Sequence, residues 1–272
     1  MFLTRVLTVV VMLPLFAAAL LYFPQWLWAL ALLPGLYIAA WEWGGLAAYR
    51  PAQRAGYAVV VAASGLAVFY GASMTPTDKA VPELWAYVLS CVFWAVVAPV
   101  WLGLRLKMRN PVVLGVAGWI ALVPMWLALV RLQTHPYVLL MFMAVIWIAD
   151  TAAYLAGRKW GRHKLAPLIS PGKSWEGVVG AVAAIGVYYA VLWFLTPAGD
   201  TVFPAAFALA LFAALLFLSV EGDLFESWLK RQAGVKDSGQ LLPGHGGLLD
   251  RVDGLTSTMP AAALAFYLHR AF

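Results

Sequence analysis

The sequence has little charge and almost no cysteine. Of its 272 residues, 11% are Asp, Glu, Lys or Arg and 64% are hydrophobic, and no hydrophilic tract is long enough to form a separate soluble domain. The single cysteine, Cys91, lies inside an apolar run, which excludes an intrachain disulfide and a thiolate metal site within one chain. We therefore interpret residues 1–272 as one integral membrane domain.

Apolar runs long enough to cross a bilayer follow one another along the whole chain. A spanning helix needs about 20 mainly apolar residues, and helices are the default because lipid cannot satisfy backbone polar groups. The sequence therefore predicts an all-α, polytopic membrane protein with about nine transmembrane helices. Their predicted ranges are 3–22, 25–48, 56–74, 84–104, 112–130, 137–157, 177–195, 202–221 and 255–271. The first run could imitate a signal peptide, but the many spans that follow favour an uncleaved helix.

Basic residues are distributed unevenly over the predicted loops. With the N-terminus in the cytoplasm, only Lys79, Arg131 and Arg270 of the 18 Lys and Arg residues fall on the far side. This bias predicts that two polar loops, 158–177 and 222–254, both face the cytoplasm. The net charge of +6 suggests contact with anionic lipid or an anionic substrate, whereas no soluble basic face is present for nucleic acid.

The region 223–253 gathers carboxylates at two predicted helix ends. Asp223, Glu226 and Lys230 are spaced i, i+3, i+7 and share one face if the eighth span continues as a helix beyond the membrane. Asp250 and Asp253 are spaced i, i+3 and would share a face at the start of the ninth span. Two carboxylate pairs that converge in this way are hard oxygen ligands suited to a divalent cation that bridges phosphates.

A glycine-rich turn and several basic side chains complete this region. The turn 242–247 contains glycines that allow close backbone approach to a ligand. Lys230, Arg231, Lys236 and Arg251 surround it with positive charge suited to phosphate oxygens. For any one of these residues there is an alternative to phosphate binding. The residue could simply contribute to the excess of basic residues in cytoplasmic loops, or pair with a neighbouring carboxylate. The cluster as a whole favours a binding site.

The second polar loop ends on the run Ser170-Pro171-Gly172-Lys173-Ser174-Trp175-Glu176-Gly177. A lysine beside a helix N-terminus suits a phosphate, because the free N–H groups and the helix dipole attract anions. Ordinary loop chemistry between two helices is the alternative.

Charged residues inside predicted spans form a third group. Asp150 and Tyr154 are spaced i, i+4, and a carboxylate in a span should face a polar cavity or a partner, an arginine pair being the alternative. Glu42, between Trp41 and Trp43, follows the same logic, with a helix-packing hydrogen bond as the alternative. The scattered histidines are assigned no role, and they are His135, His163 and His269.

The polar run in region 223–253 resembles a known signature. It reads Ser227-x-x-Lys230-Arg231, four residues, Lys236-Asp237-x-Gly239, and then Pro243-Gly244-His245-Gly246-Gly247-x-x-Asp250-Arg251-x-Asp253. This pattern resembles, without a gap, the signature of the CDP-diacylglycerol synthases, also called phosphatidate cytidylyltransferases. In the second polar loop that family usually has Ser-Pro-Lys-Lys-Thr-x-Glu-Gly, whereas this chain has Gly172 and Ser174 in place of the first lysine and the threonine. One basic contact to phosphate is thereby put in question.

The resemblance implies an enzyme that transfers CMP from CTP to phosphatidic acid and releases pyrophosphate. It also implies a metal pair that includes Mg²⁺ at Asp223 and Asp250, with K⁺ as a candidate for the second cation. The expected catalytic residues are Asp223, Lys230, Arg231, Lys236, His245, Asp250, Arg251 and Asp253. The expected substrate-binding residues are Asp150, Tyr154, Ser170, Lys173, Ser174, Glu176, Ser227, Gly246 and Gly247.

The implied partners are CTP, phosphatidic acid and membrane lipid, with no nucleic acid, and a homodimer is left open. The implied location is the bacterial inner (cytoplasmic) membrane, with the active site facing the cytoplasm. Phosphatidate has a second pKa of about 6 and is already ionised near neutral pH, so His245 is assigned to phosphate binding or orientation rather than to proton abstraction.

Two alternatives remain at this point. A CTP-dependent lipid kinase of the polyprenol type would use similar groups but transfer the γ-phosphoryl group. A membrane transporter should carry its charges near the bilayer midplane, with repeat symmetry, whereas these charges lie mostly at predicted cytoplasmic helix ends and no repeat is visible.

Overall fold

The described part of the chain is almost entirely helical. The structure is a computed structural model that describes residues 14–74, 81–196, 202–241 and 246–271. Its first helix, α1, covers residues 14–22 of the described chain. The further elements are α2 (Gln25–Leu46), α3 (Pro51–Met74), α4 (Val81–Val92), a π-helical turn (Phe93–Val97), α5 (Ala98–Gly103), α6 (Pro111–Leu132), α7 (Pro136–Trp160), β1 (Lys164–Ala166), β2 (Ser170–Ser174), α8 (Trp175–Leu195), α9 (Ala205–Gln232) and α10 (Leu249–Ala271).

Six helical segments within these described ranges are long and apolar enough to cross a membrane. They are Pro51–Ser73, Glu83–Gly103, Pro111–Leu132, Pro136–Trp160, Trp175–Leu195 and Ala205–Gln232. These segments match the third to the eighth predicted spans. Helices α2 and α10 do not belong to this set, and the predicted span 3–22 is described only from residue 14. An integral membrane protein is therefore supported, while the count of nine spans stays a prediction.

Helix α6 forms the centre of the helix bundle. Asn110 caps its N-terminus by accepting a hydrogen bond from Val112 N at 2.9 Å, and Pro111 occupies the first helical position, where its missing N–H is not needed. Two buried indoles of α2 donate to its backbone, Trp43 to Leu114 O at 2.8 Å and Trp28 to Leu129 O at 3.0 Å. These bonds hold α2 against both ends of α6.

An aromatic cluster fixes the C-terminal half of α9. The ring of Phe225 is fully buried and meets Phe93, Trp94 and Trp101 edge-on, with ring centroids 5.3 to 5.5 Å apart. Edge-to-face contacts of this kind contribute about 0.5–1.5 kcal/mol each beyond the burial of their area. Because the π-helical turn and α5 supply these rings, they anchor the part of α9 that carries the charged residues.

A small β-hairpin interrupts the helices, and the prediction of helices alone missed it. Strands β1 and β2 pair antiparallel, with Lys164 opposite Ser174 and Ala166 opposite Ser170. The strands are only three and five residues long, KLA and SPGKS, so neither shows the apolar alternation by which a strand is recognised in sequence. The hairpin places Lys173 next to α9, within reach of Asp223.

Candidate active site

Helices α9 and α10 approach closely at the level of the predicted carboxylates. Helix α9 continues to Gln232, beyond the predicted end of the span at residue 221, and α10 begins at Leu249. At Gly222 a β-carbon would lie 2.7 Å from Asp253 O, so only glycine permits this approach. Ser257 Oγ donates to Leu218 O at 2.7 Å across the same contact. Both predicted carboxylate pairs therefore lie at one junction.

The first half of the site is an ion pair between the hairpin and α9. Lys173 Nζ lies 2.6 Å from Asp223 Oδ2, and Ser227 Oγ donates to Asp223 Oδ1 at 3.2 Å. The carboxylates of Asp150 and Asp253 lie within electrostatic reach of both Lys173 and Asp223. Asp223 thus pairs with this ammonium group, and two further aspartates lie near enough to interact with it electrostatically.

The second half is more deeply buried and centres on Lys230. Its Nζ lies 2.8 Å from Glu226 Oε2 and 2.6 Å from Asp250 Oδ1. The second oxygen of Asp250 accepts from Gly247 N at 2.8 Å and from the Ser238 amide and hydroxyl at 3.0 Å each. Burial alone would raise the pKa of Asp250, but the Lys230 ammonium and these amides hold it below its usual range. Asp250 is therefore an oriented carboxylate ion.

The pKa of Asp253 is shifted in the opposite direction to that of Asp250. Burial raises the pKa of its carboxyl to about 7, and the neighbouring negative charge of Asp223 acts in the same direction. Its Oδ1 accepts a hydrogen bond from Gly254 N at 2.8 Å. A carboxyl with this pKa gains a proton easily, or loses it to a cation that binds beside it.

Glu42 holds the N-terminus of α10 from the other half of the sequence. Its carboxylate accepts from Leu248 N at 3.1 Å and from Leu249 N at 2.8 Å, and at 3.1 Å it shares with Asp250 the single hydroxyl proton of Ser238. An anion at the N-terminus of a helix satisfies free N–H groups and interacts favourably with the dipole. Since Ser238 also binds Asp250, Glu42 is one hydrogen-bonded residue away from a predicted metal ligand.

The donor set suits Mg²⁺ in its chemistry. Carboxylate oxygens are the ligands that Mg²⁺ prefers, and the acidic groups at this junction outnumber the two lysines that face them. Among the described residues, no group of three or more Asp, Glu, His and Cys is spaced to hold a metal with the side chains as they stand. Asp223 and Asp250 instead each bind a lysine, so the assignment of the metal to them stays a prediction.

Ser174 and Glu176 have structural contacts in the second polar loop. Ser174 Oγ caps α8 by accepting from Gly177 N at 3.2 Å. Glu176 accepts from His163 N at 3.1 Å and lies 2.7 Å from His163 Nδ1, which ties the start of the hairpin to α8. Their predicted binding of substrate stays a prediction, as does that of Ser170 at the start of β2.

The remaining predicted residues lie at the edge of the junction. Arg231 Nε donates to Ile169 O of the hairpin turn at 3.3 Å, and the exposed Tyr154 accepts from Arg158 Nη1 at 3.4 Å. Lys236 and Arg251 are exposed, and Gly246 has a positive φ of 81° that suits glycine. His245 lies outside the described residues, so its assigned role is untouched.

Three residues of this junction were not among the expected catalytic or substrate-binding residues, although Glu226 belonged to one of the predicted carboxylate pairs. Glu226, 2% exposed, binds Lys230, and its i, i+4 spacing to that lysine was a usable signal. Glu42 was recognisable as a carboxylate in an apolar helix, although nothing in its own neighbourhood named a partner 206 residues away. Ser238 gave no signal beyond its place in the signature.

Comparison with known proteins gives the same family as the signature. The model of the cytidylyltransferase family matches residues 3–269. The chain is 36% identical over 282 residues to the phosphatidate cytidylyltransferase of Pseudomonas aeruginosa, covering 95% of this chain and 94% of that protein. It is 46% identical over 127 residues to that of Haemophilus influenzae, covering 46% of this chain and 43% of that protein. For the Brucella suis protein of the same name the identity is 49% over 131 residues, or 48% and 45% of the two chains. The chain belongs to the cytidylyltransferase family.

Proposed function

We propose that this protein is a phosphatidate cytidylyltransferase, which transfers CMP from CTP to phosphatidic acid and forms CDP-diacylglycerol and pyrophosphate. The observation that carries the proposal is the junction of α9 and α10, where Asp223, Asp250 and Asp253 meet two lysines from separate elements. A relative of that name aligned over nearly the whole chain supports the same activity.

The nucleophile in this reaction is the phosphate of phosphatidic acid. It attacks the α-phosphorus of CTP in line, a bond forms between a phosphatidate oxygen and that phosphorus, and the bond to the β-phosphate breaks as pyrophosphate leaves. Because the second pKa of a phosphomonoester is about 6, the nucleophile needs no general base. The protein's contribution is positioning and neutralisation of charge.

Two lysines have separate tasks in this scheme. Lys173 is 22% exposed in its side chain and lies at the rim, so it can exchange Asp223 for a phosphate oxygen of CTP. Lys230 is only 10% exposed and holds Asp250 and Glu226 in place. Mg²⁺ held by Asp223 and Asp250, with K⁺ as a candidate second cation, would neutralise phosphate charge and orient the leaving group.

The decisive experiment is an assay of the purified protein in detergent with CTP, phosphatidic acid and Mg²⁺. We expect equal amounts of pyrophosphate and CDP-diacylglycerol. Formation of CDP together with a phosphorylated lipid would instead identify a CTP-dependent lipid kinase. If neither product pair forms although the protein is folded, the proposal is wrong.

The proposed location is the bacterial inner membrane, with the junction of α9 and α10 facing the cytoplasm and a homodimer as the proposed assembly. Gly172 lies at an exposed position of the hairpin with open space around it, so a cysteine fits there. In a Cys91→Ala background, Gly172→Cys should react with a membrane-impermeant maleimide only in inside-out vesicles. Reaction in intact spheroplasts would reverse the orientation.

A further inference from the structure

A cavity of about 520 Å³ lies between α2, the first turn of α3 and the segment 238–241 that precedes the glycine-rich turn. None of the predicted site residues within the described ranges lines it. Its lining residues are Tyr37, Ile38, Trp41, Glu42, Arg54, Ser238, Gly239, Gln240 and Leu241. The cavity is thus lined both by the N-terminal helices and by the signature region. The signature alone gives no sign that these two parts of the sequence lie side by side.

The lining changes in polarity along α2. Glu42 lies near the cytoplasmic end of this helix, whereas Tyr37 and Ile38 lie more than one turn further toward the middle of the bundle. Polar groups therefore border one end of the cavity and apolar or aromatic groups the other. Tyr and Trp are the residues that favour the membrane interface, where one end of a ring is apolar and the other wet. Such a gradient fits an amphiphile better than a freely soluble anion.

Arg54 supplies positive charge at the polar end. Its side chain lies against Gly45 of α2, where a β-carbon would be only 3.2 Å from the guanidinium carbon. Within the described ranges the guanidinium makes one hydrogen bond, from Nε to Tyr49 O at 3.1 Å. Both Nη groups therefore remain available for a ligand, and a planar fork of donors is well suited to phosphate oxygens.

We propose that this cavity is the binding site of the lipid substrate, with Arg54 on the phosphate of a glycerophospholipid and Ile38, Trp41 and Leu241 along its glycerol and upper acyl chains. The inference rests on the proposed function and assigns one substrate of that reaction to a place in the fold. It adds Arg54 and the C-terminal end of α2 to a predicted site whose other residues all belong to the region from α7 to α10.

The cavity is directly connected to the reacting groups. Ser238 lines it and donates through Oγ to Asp250 Oδ2 at 3.0 Å. Glu42 in its wall is already bound to Leu248 N, Leu249 N and Ser238 Oγ, so its charge is compensated by the start of α10. Arg54 and a residue that is hydrogen-bonded to the Asp250 carboxylate therefore line the same cavity, as the site of an acceptor of CMP requires.

The kinetic test compares Arg54→Ala with Arg54→Lys and with Arg50→Ala, in which an exposed arginine of the same turn is removed. Phosphatidate is varied as its mole fraction in mixed micelles, and CTP is varied separately. Loss of a charge-assisted contact should raise the KM for phosphatidate roughly tenfold or more in Arg54→Ala, with the KM for CTP unchanged. Arg54→Lys should recover part of the loss, and Arg50→Ala should behave as wild type.

A binding test needs no turnover. Leu241 is 52% exposed, so Leu241→Cys in a Cys91→Ala background provides one reactive thiol at the cavity. Vesicles with phosphatidate should slow its reaction with a maleimide severalfold relative to phosphatidylcholine vesicles, and Arg54→Ala should abolish this protection.

The outcomes separate this inference from the proposed function. If the wild type makes no CDP-lipid, the proposed function fails, whatever the labelling shows. If it makes CDP-lipid but Arg54→Ala leaves the KM for phosphatidate unchanged, only the inference is overturned. It is also overturned if the KM for CTP rises alone, or if phosphatidate gives no protection. Should Arg54→Ala fail to fold, Arg54→Lys and the labelling of Leu241→Cys still decide.

Discussion

The two ends of the helix bundle differ in how their buried carboxyl groups are paired with cations. At the end predicted to face away from the cytoplasm, Arg131 Nε lies 2.7 Å from Glu83 Oε1, and Glu83 is only 3% exposed. Arg131 also donates to Ser73 Oγ at 3.3 Å and covers the ring of Phe69 at 4.9 Å. One carboxylate meets one cation, and the remaining contacts of the arginine are structural.

The opposite end contains more carboxyl groups than cations. Around Lys173 and Lys230 lie more carboxyl groups than the two ammonium ions can neutralise, and these groups are Asp150, Asp223, Glu226, Asp250 and Asp253. A stable fold alone gives no reason for such an excess, because unpaired buried carboxylates are destabilising. The matched pair therefore has a structural explanation, whereas the acidic excess around two lysines is the arrangement that the proposed binding of a further cation requires.

The largest effect should follow removal of one charge from the acidic end. Asp223→Asn and Asp250→Asn keep the shape of the side chain, and each should lower kcat by more than about 100-fold, beyond the range typical of outer-shell partners of a metal. The measurement is CDP-diacylglycerol formation at fixed Mg²⁺, with protein folding checked by gel filtration in detergent.

The double variant and a control sharpen this result. Residues that act as one unit are strongly non-additive, so the double variant should be hardly worse than either single one. Asp237 is exposed and precedes Ser238, and Asp237→Asn should keep most activity, with Asp253→Asn in between. Near-normal turnover of Asp223→Asn or Asp250→Asn would show that the assignment of the metal to these two residues is wrong.

The rim lysine should affect binding more than turnover. Lys173→Ala removes a group whose only strong partner among the described residues is Asp223, at 2.6 Å. If Lys173 binds a phosphate of CTP, the KM for CTP should rise by an amount that corresponds to about 1.5–3 kcal/mol. An unchanged KM for CTP with a lowered kcat would mean that Lys173 serves only to orient Asp223.

Glu42 should act through the residues that it positions. Glu42→Gln retains one acceptor oxygen and replaces the other with an NH2 group, which is itself a donor. Depending on the orientation of the amide, this NH2 group faces either the donor Leu248 N or the two donors Leu249 N and Ser238 Oγ. Because Ser238 binds Asp250, we expect the Mg²⁺ concentration for half-maximal activity to rise by about tenfold. The control is Glu42→Ala, which should be worse. A lowered melting temperature with unchanged Mg²⁺ dependence would mean that Glu42 has only a structural role.

The charged face of α9 could be predicted from the sequence, because its residues lie close together along the chain. The i, i+3, i+7 spacing of Asp223, Glu226 and Lys230 placed them on one helical face, and α9 indeed continues through them. The closeness of the Asp223 and Asp250 regions could be inferred because both belong to one signature.

The unpredicted contacts are those between distant parts of the chain. Glu42 and Ser238 are separated by 196 residues, and nothing in either neighbourhood specifies the other. The hairpin was missed because its strands are too short to show an alternating pattern, although they pair antiparallel between α7 and α8. The spacing of residues along a helix identifies which of them share a face, but not which distant part of the chain that face contacts.

The matched pair at the far end should give the smallest effect on activity and a clear one on stability. Arg131→Met leaves Glu83 buried without its cation, and breaking a buried pair in this way costs about 3–5 kcal/mol, toward the lower value here because Arg131 is 27% exposed. Thermal unfolding in detergent should show the loss, while kcat and both KM values of the folded fraction stay within about twofold, the scatter expected for a site far from the chemistry. Glu83→Gln together with Arg131→Met should recover part of the stability, because no charge is then left unpaired. A drop in kcat as large as that of Asp250→Asn would mean that the two ends of the bundle are coupled, and that a matched pair is no guide to a purely structural role.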